Sequence, residues 1–211
     1  EYVVTCTKHI FETHIVLQFS ILNTIDDQRL RDVIVKVEVD DEEAYEVETV
    51  IPATIARYGE PSNCFISLKK LGEPVPCSIA CELHFKVIQV DPTTGEVEGD
   101  EDGYEEESPL EPLEIGTNDF MAKTSTGDFR RAWEGAGTDG EVLEKFALQF
   151  KKMEDAVSAV IDYLGMAAVD GTETVNTADQ KRTHTLHLSG AFVGNVPVLV
   201  RAQLGLDDAS G

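Results

Sequence analysis

The chain has 211 residues, of which 42% are hydrophobic, and its 40 acidic and 17 basic residues give a formal net charge of −23 at pH 7. No part of it has the excess of lysine and arginine that neutralises phosphates, so neither nucleic acid nor direct adsorption to an anionic membrane is expected. No run approaches the ~20 apolar residues of a membrane helix, and the first residues lack the features of a signal peptide. We expect a segment of a longer cytosolic protein.

The first ninety residues alternate apolar and polar side chains with a period of two, which is typical of strands with one buried face. The alternation is clearest at 15–21, 33–39, 64–68 and 79–87. Turn-forming residues separate these runs, which favours an antiparallel β-sandwich. Cys77 and Cys81 would lie roughly 13 Å apart on one strand, too far for a disulfide, so reduced and mostly buried thiols are expected.

Residues 91–114 contain eleven acidic residues and no Lys, Arg or His. Carboxylates at this density cannot be buried without partners, so the run predicts a solvated connector with residues 96–107 mobile. The periodicity changes after it. We therefore expect two domains, a sandwich at 1–110 that includes an acidic loop at 91–110, and a smaller unit at 111–211.

The second half has helical as well as strand-like patterns. Residues 151–165 place apolar side chains on one stripe, which predicts an amphipathic helix capped by Gly165. Asp128 is a suitable N-cap for a short helix that begins at Phe129. The pattern at 142–150 is compatible with a strand between the two helices.

Two further strands are expected near the end of the chain. The segments Thr183–Phe192 and 196–206 predict a hairpin with its turn at Gly194 and Asn195. The second half is therefore predicted to be a small antiparallel sheet backed by two helices.

The sequence contains fragments of motifs for catalysis, metals or nucleotides, but their spacing or neighbouring elements do not fit such sites. The letters GAGTDG at 135–140 match a dinucleotide fingerprint, but a helix rather than a strand is expected before them. The acidic run lacks the spacing of an EF-hand, because Pro109 stands where the twelfth position needs Glu. His184 and His187 would point to opposite faces of one strand. We expect no catalytic site, no metal site and no cofactor.

Phe129 and Trp133 are four residues apart and therefore share one face of the predicted short helix. Trp133 is the single tryptophan of the chain, and Arg130 and Arg131 stand between the two aromatic residues. One interpretation makes the pair a core anchor for the helix. The other makes it a surface for docking peptides, since Trp and Arg dominate binding energy at interfaces. The pattern leaves both open.

Several phrases, taken in order along the chain, carry a resemblance to a known family. They are EYVVTCTKHIFETHIVLQF, DPTTGEVEGDEDGYEEE, FRRAW, YLGM and THTLHLSGAFVGNVPVLVRAQL. Together they closely resemble the C-terminal appendage of the gamma subunit of coatomer, the COPI coat complex. The resemblance implies an immunoglobulin-like β-sandwich followed by a small α/β platform. The family continues after LVRAQL with a further strand and a helix, so a platform that is incomplete at its C-terminal end is implied.

The resemblance also implies a function. It implies a non-enzymatic adaptor in Golgi-to-ER retrograde transport, cytoplasmic and peripheral on Golgi membranes and COPI vesicles, with membrane association only through the coat. Its partners would be Arf GTPase-activating proteins or other accessory proteins, through short peptide motifs, and other coatomer subunits. The family's aromatic pair falls on Phe129 and Trp133, and a basic position falls on Arg201, with Arg130 or Arg131 expected at the rim. The alternative is a structural module in which Trp133 belongs to the core.

Overall fold

The computed structural model describes residues 1–176 and 182–206. The chain divides into two compact units, Glu1–Gly116 and Thr117–Gly211. The first unit is built from strands alone, and the second combines strands with two helices. The fold class expected from the sequence, a β-sandwich followed by a small α/β unit, is confirmed.

The first unit contains two antiparallel sheets. One has the order β1-β2-β6-β4, and the other has the order β5-β3-β7-β8, with β9 also paired to β7. The bounds are β1 Tyr2–Ile10, β2 His14–Asn23, β3 Gln28–Val39, β4 Tyr45–Ile51, β5 Ala53–Ala56, β6 Pro61–Lys70, β7 Cys77–Gln89, β8 Tyr104–Pro109 and β9 Leu113–Ile115.

The buried face of each sheet follows the alternation of its sequence. In β2 every second residue from Ile15 to Ile21 is at most 3% exposed. In β7 the buried residues Leu83 and Phe85 alternate with half-buried polar ones. The four runs predicted as strands are all strands, and they lie in β2, β3, β6 and β7. Their buried residues recur every second position, which is the period of the pleat.

The acidic run is only partly a loop. Residues 91–103 turn irregularly, but Tyr104–Pro109 forms strand β8, paired with β7 from Val87 to Glu82. The expectation of a continuous connector is therefore wrong for these six residues. A strand at the edge of a sheet pairs on one side only, so Glu105, Glu106 and Glu107 join the ladder while their side chains stay in water.

Residues 111–116 were expected to start the second domain, but they belong to the first unit. Strand β9 within them pairs with β7, with Leu113 opposite Ile79 and Ile115 opposite Cys77. Ile115 is 1% exposed, so this segment completes the core of the sandwich.

The second unit is a small antiparallel sheet centred on one long strand. Strand β12 pairs along its full length with β13, and its C-terminal half also pairs with the short strands β10 and β11. The bounds are a 3₁₀ turn at Thr117–Phe120, β10 Met121–Lys123, helix α1 Phe129–Ala136, helix α2 Met153–Leu164, β11 Ala167–Ala168, β12 Thr183–Phe192 and β13 Val196–Gly205.

Helix α2 covers one face of this sheet. Its buried residues Met153 and Val157 pack with Leu186 and Leu188 of β12. The helix ends as predicted at Gly165, which has φ 64° and donates its amide to the Ile161 carbonyl at 3.0 Å. A Cβ at this glycine would lie 2.8 Å from the Asn118 carbonyl oxygen, so both the conformation and the space require glycine.

The segment at 142–150, which the sequence made compatible with a strand, has no regular structure. Val142, Leu143 and Phe146 are 80%, 92% and 77% exposed. A strand needs a hydrogen-bonded neighbour, and no strand in the described part of the chain pairs with this segment. Neither described helix has the length and apolar composition needed to cross a bilayer.

Candidate functional site

Helix α1 presents two aromatic rings on one face. Its first turn is closed by Asp128, whose carboxylate accepts a hydrogen bond from the Arg131 amide at 2.9 Å, as the sequence predicts. This cap satisfies one of the free amides at the start of the helix. Phe129 and Trp133 then lie one turn apart on the same side.

The hairpin of β12 and β13 provides the surface under these rings. The buried Leu186 and Leu188 face α2, so His187 between them points to the opposite face. The turn lies where it was predicted, but its loop has three residues, 193–195, with positive φ at Gly194 and Asn195. This loop length makes Arg201 the direct cross-strand partner of His187.

Four side chains form an ordered series that we call the aromatic stack: His187, Phe129, Trp133 and Arg201. The rings of His187 and Phe129 are nearly parallel, with centroids 4.2 Å apart and 8° between their planes. The rings of Phe129 and Trp133 are 5.7 Å apart at 29°. The guanidinium carbon of Arg201 lies 4.9 Å from the Trp133 ring centroid, within the range of a cation–π contact.

Exposure increases from Phe129 through Trp133 to Arg201. Phe129 is 2% exposed, whereas Trp133 is half-buried and Arg201 is exposed. Phe129 therefore anchors α1 to the sheet, which is the core role considered from the sequence. Trp133 is held on one side by this anchor and keeps part of its surface in contact with water.

The two arginines of α1 are arranged differently from Arg201. Arg130 forms an ion pair with Glu134 at 2.9 Å, and its side chain is 88% exposed. Arg131 is exposed and contributes its backbone amide to the helix cap. Among the described residues, the cation next to the indole is supplied by Arg201.

His187 is the member of the aromatic stack that the sequence did not assign to this surface. Its amide donates to Thr172 Oγ1 at 2.9 Å, and its Nδ1 lies 3.6 Å from Asp170 Oδ2. Alternation along β12 could have placed it on the face opposite Leu186, but its contact with Phe129 depends on how α1 packs on that face. His184 instead directs Nε2 to the Thr172 carbonyl oxygen at 2.7 Å, so the two histidines do not converge.

The thiols and the glycine motif show no catalytic arrangement among the described residues. Burial raises the pKa of the Cys6 and Cys77 thiols to about 11, and it also raises the pKa of Cys64 and Cys81. A cysteine nucleophile needs a lowered pKa instead. The motif at 135–140 begins in the last two residues of α1 and precedes an irregular segment, so it does not lie between a strand and a helix.

Comparison with known families accounts for nearly the whole chain. Residues 1–116 match the family described as "Coatomer gamma subunit appendage platform subdomain". Residues 118–211 match the family described as "Coatomer subunit gamma-1 C-terminal appendage platform". The chain belongs to the coatomer gamma appendage family. The two matches meet where the two compact units of this appendage meet, although the first description uses the word platform for what is here the β-sandwich.

Relatives of the appendage come from distant eukaryotes. It is 40% identical over 211 residues to coatomer subunit gamma of Arabidopsis thaliana and 40% identical over 212 residues to coatomer subunit gamma-1 of Homo sapiens. It is 38% identical over 213 residues to coatomer subunit gamma of Dictyostelium discoideum. Each alignment covers 99% of this chain and 23% or 24% of the relative, so the chain spans less than a quarter of their length.

Proposed function

We propose that this chain is a non-enzymatic adaptor module of the COPI coat. In this proposal the outer end of the aromatic stack, Trp133 with Arg201, binds short peptide motifs of accessory proteins, with Arf GTPase-activating proteins as the partner class. The module would be cytoplasmic and would reach Golgi membranes and vesicles only through the coat. Membership of the coatomer gamma appendage family supports this assignment.

The observation that carries the proposal is a half-buried tryptophan in contact with a buried phenylalanine and an exposed arginine. An indole held in this way offers a large flat surface and has little rotamer freedom left to lose when a ligand binds. Tryptophan and arginine are the residue types that most often dominate binding energy at interfaces.

The charges around Trp133 indicate what kind of peptide would suit the surface. Arg130 is already paired with Glu134, whereas the guanidinium of Arg201 lies over the indole. A ligand whose aromatic or aliphatic side chain covers the indole could place an acidic neighbour against Arg201. Arginine suits this role because its planar fork pairs with a carboxylate through two hydrogen bonds.

A contact with other coatomer subunits is a second function, favoured by a different surface. The exposed side chains of Val142, Leu143 and Phe146 form an apolar run outside the aromatic stack. Exposed apolar surface of this kind is typical of sites that bind other proteins. Under this alternative Trp133 would only help to pack α1 against the sheet and would bind no ligand.

The two functions are separated by measuring how a purified Arf GTPase-activating protein binds to defined variants. Trp133→Ala should weaken binding at least about tenfold, which corresponds to a loss of ~1.4 kcal/mol or more. Arg201→Glu should weaken binding as well, because it places a negative charge where the ligand carries one. Calorimetry on the purified chain gives the affinity directly.

Matched controls come from the same unit. Tyr163 is an aromatic residue of α2 that is 71% exposed, so Tyr163→Ala should bind like the unaltered chain. Arg130→Glu tests whether any arginine of this region would have the same effect as Arg201. The proposal is wrong if Trp133→Ala remains folded and retains the affinity of the unaltered chain.

A further inference from the structure

The first unit carries a cluster of three potential metal ligands, Glu82, His84 and Glu107, which we call the His84 cluster. Glu82 and His84 are two residues apart on β7 and share the face opposite the buried Leu83. Glu107 on β8 is the direct cross-strand partner of His84. One ligand atom of each side chain lies within 4.8 Å of the other two.

Both ring nitrogens of His84 face carboxylates. Nε2 lies 2.5 Å from Glu82 Oε2, while Nδ1 lies 3.9 Å from Glu107 Oε2, which is too long for a hydrogen bond. A neutral imidazole has one N–H and one lone pair, so it can donate to only one of these oxygens. The other nitrogen then presents its lone pair toward a carboxylate, and a bound cation would turn that repulsion into attraction.

No lysine already neutralises the two carboxylates in the described part of the chain. Lys86, the next outward-facing residue of β7, has its ammonium group 4.0 Å from Asp32. Lys36 is the cross-strand neighbour of Glu82 on β3, but the two form no ion pair in the described residues. The two carboxylates of the cluster belong to a chain whose net charge is −23.

We propose that the His84 cluster binds one divalent first-row transition-metal ion, with Zn²⁺ as the representative species. One imidazole nitrogen and two carboxylate oxygens would be the ligands, and water would complete the coordination shell, as in open zinc sites. The imidazole distinguishes this set from the all-oxygen sites that Ca²⁺ and Mg²⁺ prefer. The sequence predicted no metal site because Glu107 lies in the run that was expected to be a loop.

Binding a single ion requires both carboxylates to gather at one ring nitrogen of His84. Ligand atoms around a tetrahedral zinc ion are about 3.3 Å apart, since each bond is about 2.0–2.1 Å long. The Glu82 carboxylate would move away from the imidazole by about 1 Å, and the Glu107 side chain, which is 71% exposed, would turn toward it. The bound ion would then connect β7 to the acidic edge strand β8.

Titration of the tag-free, metal-stripped chain with ZnCl₂ tests this proposal by calorimetry. We expect one equivalent of Zn²⁺ to bind, His84→Ala to abolish binding, and Glu107→Gln to weaken it about tenfold or more. Glu107→Gln changes an exposed side chain of the same size, and circular dichroism shows whether each variant folds. Zn²⁺ should also slow hydrogen exchange of the β8 amides in the unaltered chain but not in His84→Ala.

His14 offers a matched control, because in the described residues its Nε2 contacts one carboxylate, that of Glu48 at 3.0 Å. His14→Ala should bind Zn²⁺ as the unaltered chain does. A Co²⁺ spectrum without a thiolate charge-transfer band would agree with ligation by nitrogen and oxygen. The proposal is overturned by an absence of saturable binding, by a His84→Ala variant that keeps its affinity, or by a thiolate band that places the ion on a cysteine.

Discussion

Phe129→Ala is expected to destabilise the second unit strongly while leaving the first unit unchanged. The side chain is 2% exposed and has a ring stacked on each face, at 4.2 Å and 5.7 Å. Removing a buried phenylalanine typically costs about 3–5 kcal/mol, which includes roughly 0.5–1.5 kcal/mol for each aromatic pair. The equilibrium constant for unfolding should therefore rise by a factor of more than about a hundred.

Urea denaturation followed by tryptophan fluorescence measures this effect. The chain has one tryptophan, Trp133, and it contacts Phe129, so the signal reports on the second unit. Phe146→Ala is the matched control, because Phe146 is 77% exposed and its loss should change stability by no more than about 0.5 kcal/mol. If Phe129→Ala costs less than about 1 kcal/mol, α1 is not anchored by the aromatic stack and our account of the site is refuted.

Three further predictions concern other parts of the molecule. Gly103→Ala should destabilise the first unit by about 2 kcal/mol or more, because the residue has φ 65° and a Cβ would lie 2.3 Å from the Val87 carbonyl oxygen. Gly99→Ala, with φ 91° and open space, should cost less when both variants are unfolded in urea and followed by far-UV circular dichroism, and equal costs would contradict the steric argument. Burial raises the pKa of Tyr45 from 10.0 to about 12. The unfolded chain therefore loses this proton first, so stability should fall as the pH rises from about 10 to about 12. In the Tyr45→Phe variant the free energy of unfolding, measured by urea titration, should fall less over this pH range. An unchanged pH dependence would contradict the assignment of the effect to Tyr45. Replacing Leu143 and Phe146 by Lys should reduce self-association in light scattering without lowering the melting temperature, whereas a drop of several degrees would show that these residues are packed.

Predictions from the sequence succeeded where a single periodic pattern decides the structure. Strands β2 and β7 and helix α2 were found because the spacing of their apolar residues equals the spacing of their buried positions. Asp128 likewise predicted the start of α1, and Gly165 predicted the end of α2. Membership of the coatomer gamma appendage family was also recognised correctly from the order of the quoted phrases.

The errors have a common physical origin. Whether a segment forms a strand depends on a neighbouring strand as well as on its own residues. The charge of β8 suggested a loop. At the edge of a sheet, however, the backbone of an acidic segment can pair while its side chains remain solvated. Residues 142–150 have apolar side chains suited to a strand but no partner in the described structure.

The local pattern of the candidate site was predictable, whereas its contacts between separate elements were not. Phe129 and Trp133 follow from helical spacing alone. The position of Arg201 opposite His187 depends on a three-residue hairpin loop that sets the register. The contact of His187 with Phe129 depends on how α1 packs on the sheet. A loop one residue shorter would move Arg201 to the opposite face of the sheet relative to His187.

The three consecutive glutamates of β8 have a consequence for crowded surroundings. An open sheet edge offers unpaired amides and carbonyls to any extended chain nearby, which is a common route to aggregation. Two copies of this edge would bring Glu105, Glu106 and Glu107 against the same residues of another molecule, and their mutual repulsion opposes pairing. Pro109 ends the strand and removes one amide that could have extended it. This edge of the sandwich therefore resists pairing with the same edge of a neighbouring copy.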